Sequence, residues 1–385
     1  MKKIMLISKD VAFFGKFERR FNPEHYALKW VEHIEASYLP LEAENFNTVI
    51  VDIANQDENE QYLKFLQKHY PKIIRINIEN HQYGMAFKGN AHAQMSWRKN
   101  QDISELVLMV LKLIEIDERI NNAELLNLVS NLRHLPTLPK IYNVLTGLIE
   151  NNASVDAIST RLEEDPAIAT NVLKLANSAF YNAKTGSVRQ AIMYIGLNNV
   201  KNIILTNAVF DNNGLDPEFK EVHWRHVNYA NKILNALYIE VLGKKLNNNI
   251  SAAGLLHDVG NIVLMCNFPQ LLRDILKQSS DHEIYLVEKD QIGFSHEELG
   301  GHLLDLWGLP IPVIEAALYH HDPMNENIVN CELIMSMHIA DYYAWKIVGV
   351  DDADLSLNAL VFSEMGIPKS VFDAFYEQFK QRDVG

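Results

Sequence analysis

The sequence predicts a multidomain protein, with an α/β domain followed by an all-α domain. Short apolar runs alternate with amphipathic segments over about the first hundred residues, which is typical of a parallel sheet covered by helices. Beyond residue 140 the apolar residues recur every three or four positions, as in helices, without strand-like alternation. Between these patterns lies the rigid break Leu135-Pro136-Thr137-Leu138-Pro139, since proline cannot continue a helix.

The α/β domain is predicted from three apolar runs that we interpret as strands, at residues 4–7, 46–52 and 72–78. Amphipathic segments at residues 13–21 and 60–69 separate these runs and predict helices. Strands that alternate with helices lie parallel in one sheet, with helices on both of its faces.

A further predicted helix at residues 103–116 has one apolar stripe and closes this domain. The charged residues Asp117, Glu118 and Arg119 follow it. We therefore place the α/β domain at residues 1–117 and a connector at residues 118–133.

Polar residues stand at or just after apolar segments of the α/β domain. Asp10 follows the first predicted strand, Asp52 ends the second, and Lys99 lies beyond the third. Functional groups of such folds gather at the carboxyl ends of parallel strands. We expect these three side chains to meet there.

This domain resembles the receiver domain of two-component response regulators. In that family an Asp after the third strand accepts a phosphoryl group, acidic residues after the first strand hold Mg²⁺, and a Lys after the fifth strand pairs with the phosphate. The resemblance implies a flavodoxin-like parallel sheet. It also implies that Asp52 is the phosphoacceptor, Asp10 a Mg²⁺ ligand and Lys99 the phosphate partner.

The domain departs from the receiver pattern in three places. Lys9 stands beside Asp10 where the family usually has a second acid, so any Mg²⁺ would bind weakly. The usual hydroxyl residue after the fourth strand is not evident in residues 77–80, and Asn100 occupies the position of a usual Pro. Two interpretations stay open. Either Asp52 is phosphorylated, or the domain is a degenerate receiver that serves as a docking or dimerisation module. Of these two roles, dimerisation would give a homodimer.

The all-α domain contains recognisable helix starts and breaks. Ser154 and Asp165 are typical N-cap residues, and Pro166 suits a first helical turn. A turn at Gly186-Ser187 precedes another helix, which breaks at Gly196. These signals predict a compact helical bundle.

The bundle includes an apolar stretch at residues 252–264 that contains the adjacent pair His257-Asp258. We interpret the stretch as a buried helix. Burying this pair costs several kcal/mol unless its members bind each other or a metal ion. Two interpretations are open from the pair alone: metal ligands, or a satisfied buried hydrogen bond.

Further residues of ligand type lie in or beside apolar helices of the same domain: His226, His296, His320, His321 and Asp341. Imidazole and carboxylate groups together suit Fe, Mn, Zn or Ni. A bundle can direct such side chains from several helices to one point, and two neighbouring ions would activate water against a phosphoester. A single His on an apolar helix is more often a hydrogen-bonded core residue. We give that role, or an exposed position, to His223, His302 and His338.

The helical region resembles the HDOD domain, an output and signalling module related to the HD superfamily of metal-dependent phosphohydrolases. The resemblance rests on motifs in family order: Leu135-Pro136-x-Leu138-Pro139, Asp165-Pro166-Ala167, Leu175-Ala176-Asn177-Ser178 and Ile195-Gly196-Leu197. It places an HD-superfamily-like bundle at residues 134–341. Residues 342–385 would form a helical extension whose apolar edge packs on the bundle.

The HD superfamily implies a metal site with this ligand set: His226, His257, Asp258, His296, His320, His321 and Asp341. Asp258 would be the catalytic residue of an active enzyme. Two departures argue against catalysis. Asn261 stands where HD-GYP phosphodiesterases usually carry Lys, and Asp322-Pro323-Met324 replaces their Gly-Tyr-Pro signature. Two functions remain open: a regulatory module with a retained or vestigial metal site, or a phosphohydrolase of a nucleotide or cyclic dinucleotide.

Composition and charge limit which partners and which cellular compartment we expect for this protein. The net charge is −14, which argues against nucleic acid as a partner. The resemblances imply instead a signalling protein or a small nucleotide-type ligand as partner. The two cysteines, Cys266 and Cys331, imply no disulfide framework. The apolar run at the N-terminus is too short for a signal peptide, and no run approaches the roughly 18 residues of a membrane span. We therefore expect a cytoplasmic protein without membrane contact.

Overall fold

The structure is a computed structural model that describes residues 1–79, 90, 92–151, 153–177, 183–210, 215–247, 250–278, 284–350 and 356–383. Asn80 and Ser178, which belong to the sequence patterns above, lie outside these residues. The chain divides into two compact units, residues 1–119 and residues 120–385. Of the helices in the described residues, none combines the length and apolarity needed to cross a membrane.

The first unit contains a five-stranded sheet in the order β2-β1-β3-β4-β5, in which every neighbouring pair is parallel. The strands are β1 (Lys2–Ser8), β2 (Tyr26–Val31), β3 (Thr48–Asp52), β4 (Ile74–Glu79) and β5 (Met95–Arg98). This is the flavodoxin-like order, so the predicted fold class is confirmed. The sequence did not predict β2 and β5. Both lie at sheet edges and are mostly half-buried, so they lack the continuous apolar run of a central strand.

Helices cover the sheet: α1 (Val11–Glu18), α2 (Glu35–Ala43), α3 (Gln56–His69) and α4 (Ile103–Ile120). Met5 and Val49 from the strands pack with Leu63 of α3 in one core cluster. The Asp10 side chain accepts a hydrogen bond from Phe13 N at the start of α1. This cap fixes the loop that follows β1, where the candidate residues lie.

The described part of the second unit contains helices and no strand. The helices are α5 (Ala123–Asn131), α6 (Lys140–Glu150), α7 (Val155–Glu163), α8 (Pro166–Ala176), α9 (Val188–Ile195), α10 (Leu197–Phe210), α11 (Pro217–Glu240), α12 (Ala253–Leu256), α13 (Val259–Asn267), α14 (Pro269–Gln278), α15 (Ile284–Ile292), α16 (His296–Leu306), α17 (Ile311–Tyr319), α18 (Cys331–Val348), α19 (Leu360–Met365) and α20 (Lys369–Asp383). The predicted starts are confirmed at α7 and α8, where Ser154 and Asp165 accept hydrogen bonds from first-turn N–H groups.

Helices occupy the predicted connector and span the predicted end of the bundle. The predicted connector at 118–133 contains α5, and the limit after residue 341 falls inside α18. In α20, Phe372, Phe375 and Phe379 are buried, whereas the neighbouring Val371 is 44% exposed.

The apolar stretch at residues 252–264 is not one helix, contrary to the sequence interpretation. Helix α12 ends at Leu256 and α13 begins at Val259, and Asp258 between them has φ −100° and ψ 14°. Successive side chains on a continuous helix project about 100° apart. The break at His257-Asp258 therefore lets both side chains face one point.

Glycines allow the central helices to approach closely. A Cβ atom at Gly260 of α13 would lie 1.9 Å from the carbonyl oxygen of His296 in α16. A Cβ atom at Gly254 of α12 would lie 2.5 Å from Cα of Asn231 in α11. These contacts hold α12 and α13 directly against the helices that carry other candidate ligands.

Candidate metal centre

The structure brings the seven predicted ligands together in two groups that share Asp258. We call His226, His257, Asp258 and Asp341 the first cluster. Asp258, His296, His320 and His321 form the second cluster. Within each cluster the ligand atoms lie within 4.8 Å of one another.

Separate elements of the bundle position these side chains. His226 lies in α11, His296 begins α16, and Asp341 lies in α18. His257 and Asp258 occupy the break between α12 and α13, while His320 and His321 directly follow α17. All but His321 are buried, so the centre belongs to the core of the unit.

The first cluster is organised around one carboxylate oxygen. Asp341 Oδ1 lies 3.0 Å from His226 Nε2 and 3.1 Å from His257 Nε2. The two Nε2 atoms are 3.2 Å apart. The His226 ring stacks on the Trp345 indole, with centroids 3.7 Å apart. No pattern in the sequence indicates this stacking of Trp345 on His226.

Asp258 presents one oxygen to each cluster. Its Oδ2 atom lies 3.4 Å from His226 Nε2 and 3.6 Å from His257 Nε2. Its Oδ1 atom lies 3.4 Å from His320 Nε2 and 3.8 Å from His296 Nε2. A carboxylate placed in this way can bridge two ions.

The Nδ1 atoms of three histidines face away from the clusters, and their hydrogen bonds determine whether the Nε2 atoms that face the clusters have a free lone pair. His257 Nδ1 donates to the Gly254 carbonyl at 3.0 Å, and His320 Nδ1 donates to the Ala316 carbonyl at 3.0 Å. His296 Nδ1 donates to Glu288 at 2.6 Å. A neutral imidazole that donates from Nδ1 carries its free lone pair on Nε2, the atom that faces the clusters.

Two of these inward atoms lack hydrogen bonds. Among the described residues, His296 Nε2 and His320 Nε2 are buried and have no hydrogen-bond partner. Buried polar atoms are almost always satisfied, and a divalent cation would satisfy both. The donor set therefore fits a metal ion chemically.

Without a cation, protons balance the charge of the centre. Burial lowers the pKa of His226, but its hydrogen bonds to Asp258 and Asp341 outweigh burial and raise that pKa to about 9. Burial raises the pKa of Asp258, but the charge of His257 and a hydrogen bond from His226 hold it well below its ordinary value. Metal binding at such a centre releases protons from the histidines.

Asn261 contacts the centre in a way that the sequence did not reveal. Its side chain is buried, and Nδ2 donates to Asp258 Oδ1 at 3.2 Å. The residue at the position of the HD-GYP Lys thus orients the shared carboxylate.

The three histidines that the sequence left outside the ligand set are buried. His302 Nδ1 donates to the Ile120 carbonyl. His338 Nδ1 donates to the His320 carbonyl at 2.6 Å, and His338 Nε2 accepts from Asn358 N at 2.9 Å. Since His338 holds the backbone of a candidate ligand, a structural role fits it, whereas an exposed position does not.

The candidate phosphoacceptor site of the first unit also assembles. Asp52 Oδ2 accepts from Lys99 Nζ at 2.7 Å and from Ser8 Oγ at 2.6 Å, and Asp10 Oδ2 lies 3.1 Å from the same ammonium. Asp10, Asp52 and Lys99 line a cleft of about 870 Å³ at the carboxyl edge of the sheet. Ser8 was missed because it carries no charge.

Residues 135–323 match the family model of the HDOD domain. An uncharacterized protein of Treponema pallidum (strain Nichols) is 24% identical over 202 residues, which cover 51% of this chain and 39% of that protein. The chain thus spans well under half the length of that relative.

Solved structures share the fold. A protein from Shewanella amazonensis SB2B, whose name proposes a phosphohydrolase, aligns with a TM-score of 0.51 and 22% identity over 68% of this chain and 95% of its own. A protein from Marinobacter aquaeolei VT8, whose name proposes a role in signal transduction, aligns with a TM-score of 0.54 and 19% identity over 75% of this chain and 68% of its own. At these identities the likeness concerns fold alone.

Proposed function

Because residues 135–323 form an HDOD domain, we propose that this chain is a signal transduction protein that couples a receiver-like domain to a metal-binding regulatory HDOD domain. The observation that carries the metal proposal is the pair of ligand clusters joined by Asp258. It is supported by the buried Nε2 atoms of His296 and His320, which have no hydrogen-bond partner among the described residues.

His226, His257 and Asp341 would hold an ion in the first cluster, and His296, His320 and His321 would hold one in the second. Asp258 would contribute an oxygen to each. Nitrogen and carboxylate ligands in this ratio suit Fe, Mn, Zn or Ni. When bound, such ions would supply Lewis-acid chemistry and acidify a bound water.

A regulatory role is favoured over hydrolysis by Asn261. Its amide is hydrogen-bonded to Asp258, and it carries no charge that could pair with a phosphate. We propose that the metal centre stabilises one conformation of the bundle. This conformation would bind a signalling protein or a small nucleotide-type ligand.

Elemental analysis of protein purified without chelator tests the metal proposal. We expect about one to two ions per chain. Asp258→Ala should lose most of this metal because it removes an oxygen from both clusters. The control Asp274→Ala changes a carboxylate that accepts hydrogen bonds from Gln270 on the exposed surface and should retain the metal. Wild-type protein without metal, even after incubation with Mn²⁺ or Fe²⁺, would contradict the proposal.

The second candidate function is a metal-dependent phosphohydrolase that acts on a nucleotide or cyclic dinucleotide. It is favoured by the placement of Asp258, since two adjacent ions can stabilise the attacking and leaving oxygens of a phosphoester. Hydrolysis of a cyclic dinucleotide by the Mn²⁺-loaded protein, abolished in Asp258→Ala, would support it. Metal-loaded protein without turnover would leave regulation as the function.

For the first unit we propose that Asp52 accepts a phosphoryl group, with Lys99 as phosphate partner and Asp10 as a weak Mg²⁺ ligand. The ion pairs that join these three residues support the proposal. Intact mass after incubation with acetyl phosphate and Mg²⁺ should rise by one phosphoryl group, and Asp52→Asn should not respond. An unmodified wild-type chain would favour the docking or dimerisation role, which sedimentation of the full chain would then examine.

A further inference from the structure

Glu288 of α15 is a buried acid that contacts a candidate metal ligand, His296. Its side chain is fully buried. Glu288 Oε2 accepts from His296 Nδ1 at 2.6 Å and from His296 N at 2.7 Å. Among the described residues its second oxygen, Oε1, has no hydrogen-bond partner. A buried carboxylate is costly unless it is paired, and the hydrogen bonds that offset this cost come from His296.

Capping of helix α16 explains only part of this contact. Ser295 accepts from Glu298 N, and Glu298 accepts from Ser295 N, which together form a capping box. Glu288 adds a cap for the first-turn N–H of His296, but its bond from Nδ1 is made to the imidazole ring and satisfies no helix terminus. That ring presents Nε2 toward Asp258 Oδ1, 3.8 Å away.

His296 differs in this respect from two other ligands of the centre. The Nδ1 groups of His257 and His320 donate to backbone carbonyls, which are neutral. The Nδ1 group of His296 donates to a carboxylate. A carboxylate acceptor fixes the tautomer and orientation of a metal-bound imidazole and makes its other nitrogen a better donor.

We infer that Glu288 is a positioning residue that holds His296 in the Nδ1–H tautomer and strengthens its Nε2 as a ligand of the second cluster. The inference rests on the proposed metal centre. The two clusters would then differ, because the histidine that donates to a carboxylate, His296, belongs only to the second cluster. Loss of Glu288 should therefore weaken one of two ions.

Titration with Co²⁺, followed by visible absorption, tests this role in the full chain. Glu288→Gln is nearly isosteric and keeps an oxygen that can accept from Nδ1, but it removes the charge. We expect one of the two Co²⁺ affinities to fall by about 10-fold in Glu288→Gln and by about 100-fold in Glu288→Ala. The other affinity should stay unchanged.

Glu315 offers a matched control. It is also fully buried, and it accepts from Val329 N and Asn330 N instead of a ligand side chain. Glu315→Gln should lower the melting temperature but retain wild-type Co²⁺ affinity. Glu288→Gln with two wild-type Co²⁺ affinities would overturn the inference, whatever its melting temperature. A wild-type chain that takes up no Co²⁺ would instead overturn the metal centre, and the role of Glu288 with it.

Discussion

Asp52 in the first unit and Asp258 in the second are both buried aspartates, but their charges are balanced in different ways. Asp52 receives a hydrogen bond from the permanently charged Lys99. The charged partners of Asp258 are histidines, which are cationic only when protonated. The Asp52 centre contains its own cation, whereas the Asp258 centre contains imidazole lone pairs that could bind a metal ion.

This difference shows how similar residue types can serve different purposes. An ammonium on the chain neutralises a carboxylate throughout the neutral pH range, because Lys keeps its proton there, and it leaves little need for a bound ion. Imidazoles lose their protons to make room for a metal. The comparison predicts that metal ions and substitutions should affect the two centres unequally.

The largest expected effect comes from Gly260→Ala, which should damage the second centre alone. The new Cβ atom would meet the His296 carbonyl, so α13 and α16 must separate. We expect a loss of about 3 kcal/mol or more in the free energy of unfolding, together with loss of bound metal. Urea denaturation and elemental analysis measure both. Gly147→Ala, where a Cβ atom meets nothing within 4 Å, is the control and should be neutral or slightly stabilising.

Metal removal should have the next largest effect. At an ion concentration of about 100 times the dissociation constant, binding stabilises the folded state by about 2.7 kcal/mol. Hydrogen exchange with and without chelator should show lost protection in α11, α13 and α18, while β1 and β3 stay protected. Equal losses of hydrogen-exchange protection in both units would contradict the expectation that metal ions affect only the Asp258 centre.

Asp52→Asn should have a smaller effect, confined to the first unit. It leaves Lys99 with Asp10 as its remaining carboxylate partner. The Lys99 side chain is 27% exposed, so solvent compensates part of the loss, and we expect about 1–2 kcal/mol in the free energy of unfolding. Metal content should equal that of the wild type. A fall in metal content would contradict the separation of roles.

Asp10→Ala should have the smallest effect, about 1 kcal/mol, from loss of the α1 cap. The hydrogen bond from Phe13 N, followed by the one from Lys99, lowers the pKa of Asp10 below its ordinary value. The stabilisation by Asp10 is therefore full above pH ~4 and is lost as the pH falls through the lowered pKa. Urea midpoints at neutral pH and at about pH 3 should show the gap between variant and wild type narrowing in acid. A constant gap would show that the charge of Asp10 does not contribute.

Local signals in the sequence were sufficient for much of the fold. Strands β1 and β3 contain continuous apolar runs, and β4 places an isoleucine at every second position. The caps Ser154 and Asp165 mark helix starts with their own side chains. The edge strands β2 and β5 were not predicted, because half-buried strands do not need continuous apolar runs. The sequence also supplied all seven ligand candidates of the two clusters, because histidine and aspartate in apolar surroundings are conspicuous.

By itself, then, the sequence determined the two fold classes and the kinds of ligand available. The tertiary structure alone decided that the helix breaks at His257-Asp258, that Asp258 belongs to both clusters, and that Asn261 and Glu288 hydrogen-bond to candidate ligands. The physical reason is that the direction in which a side chain points depends on tertiary packing. Residue type and spacing are properties of the chain, but the point at which a carboxylate or imidazole is aimed depends on how separate helices pack, as for His257 and Asp341, which lie 84 positions apart and 3.1 Å from each other.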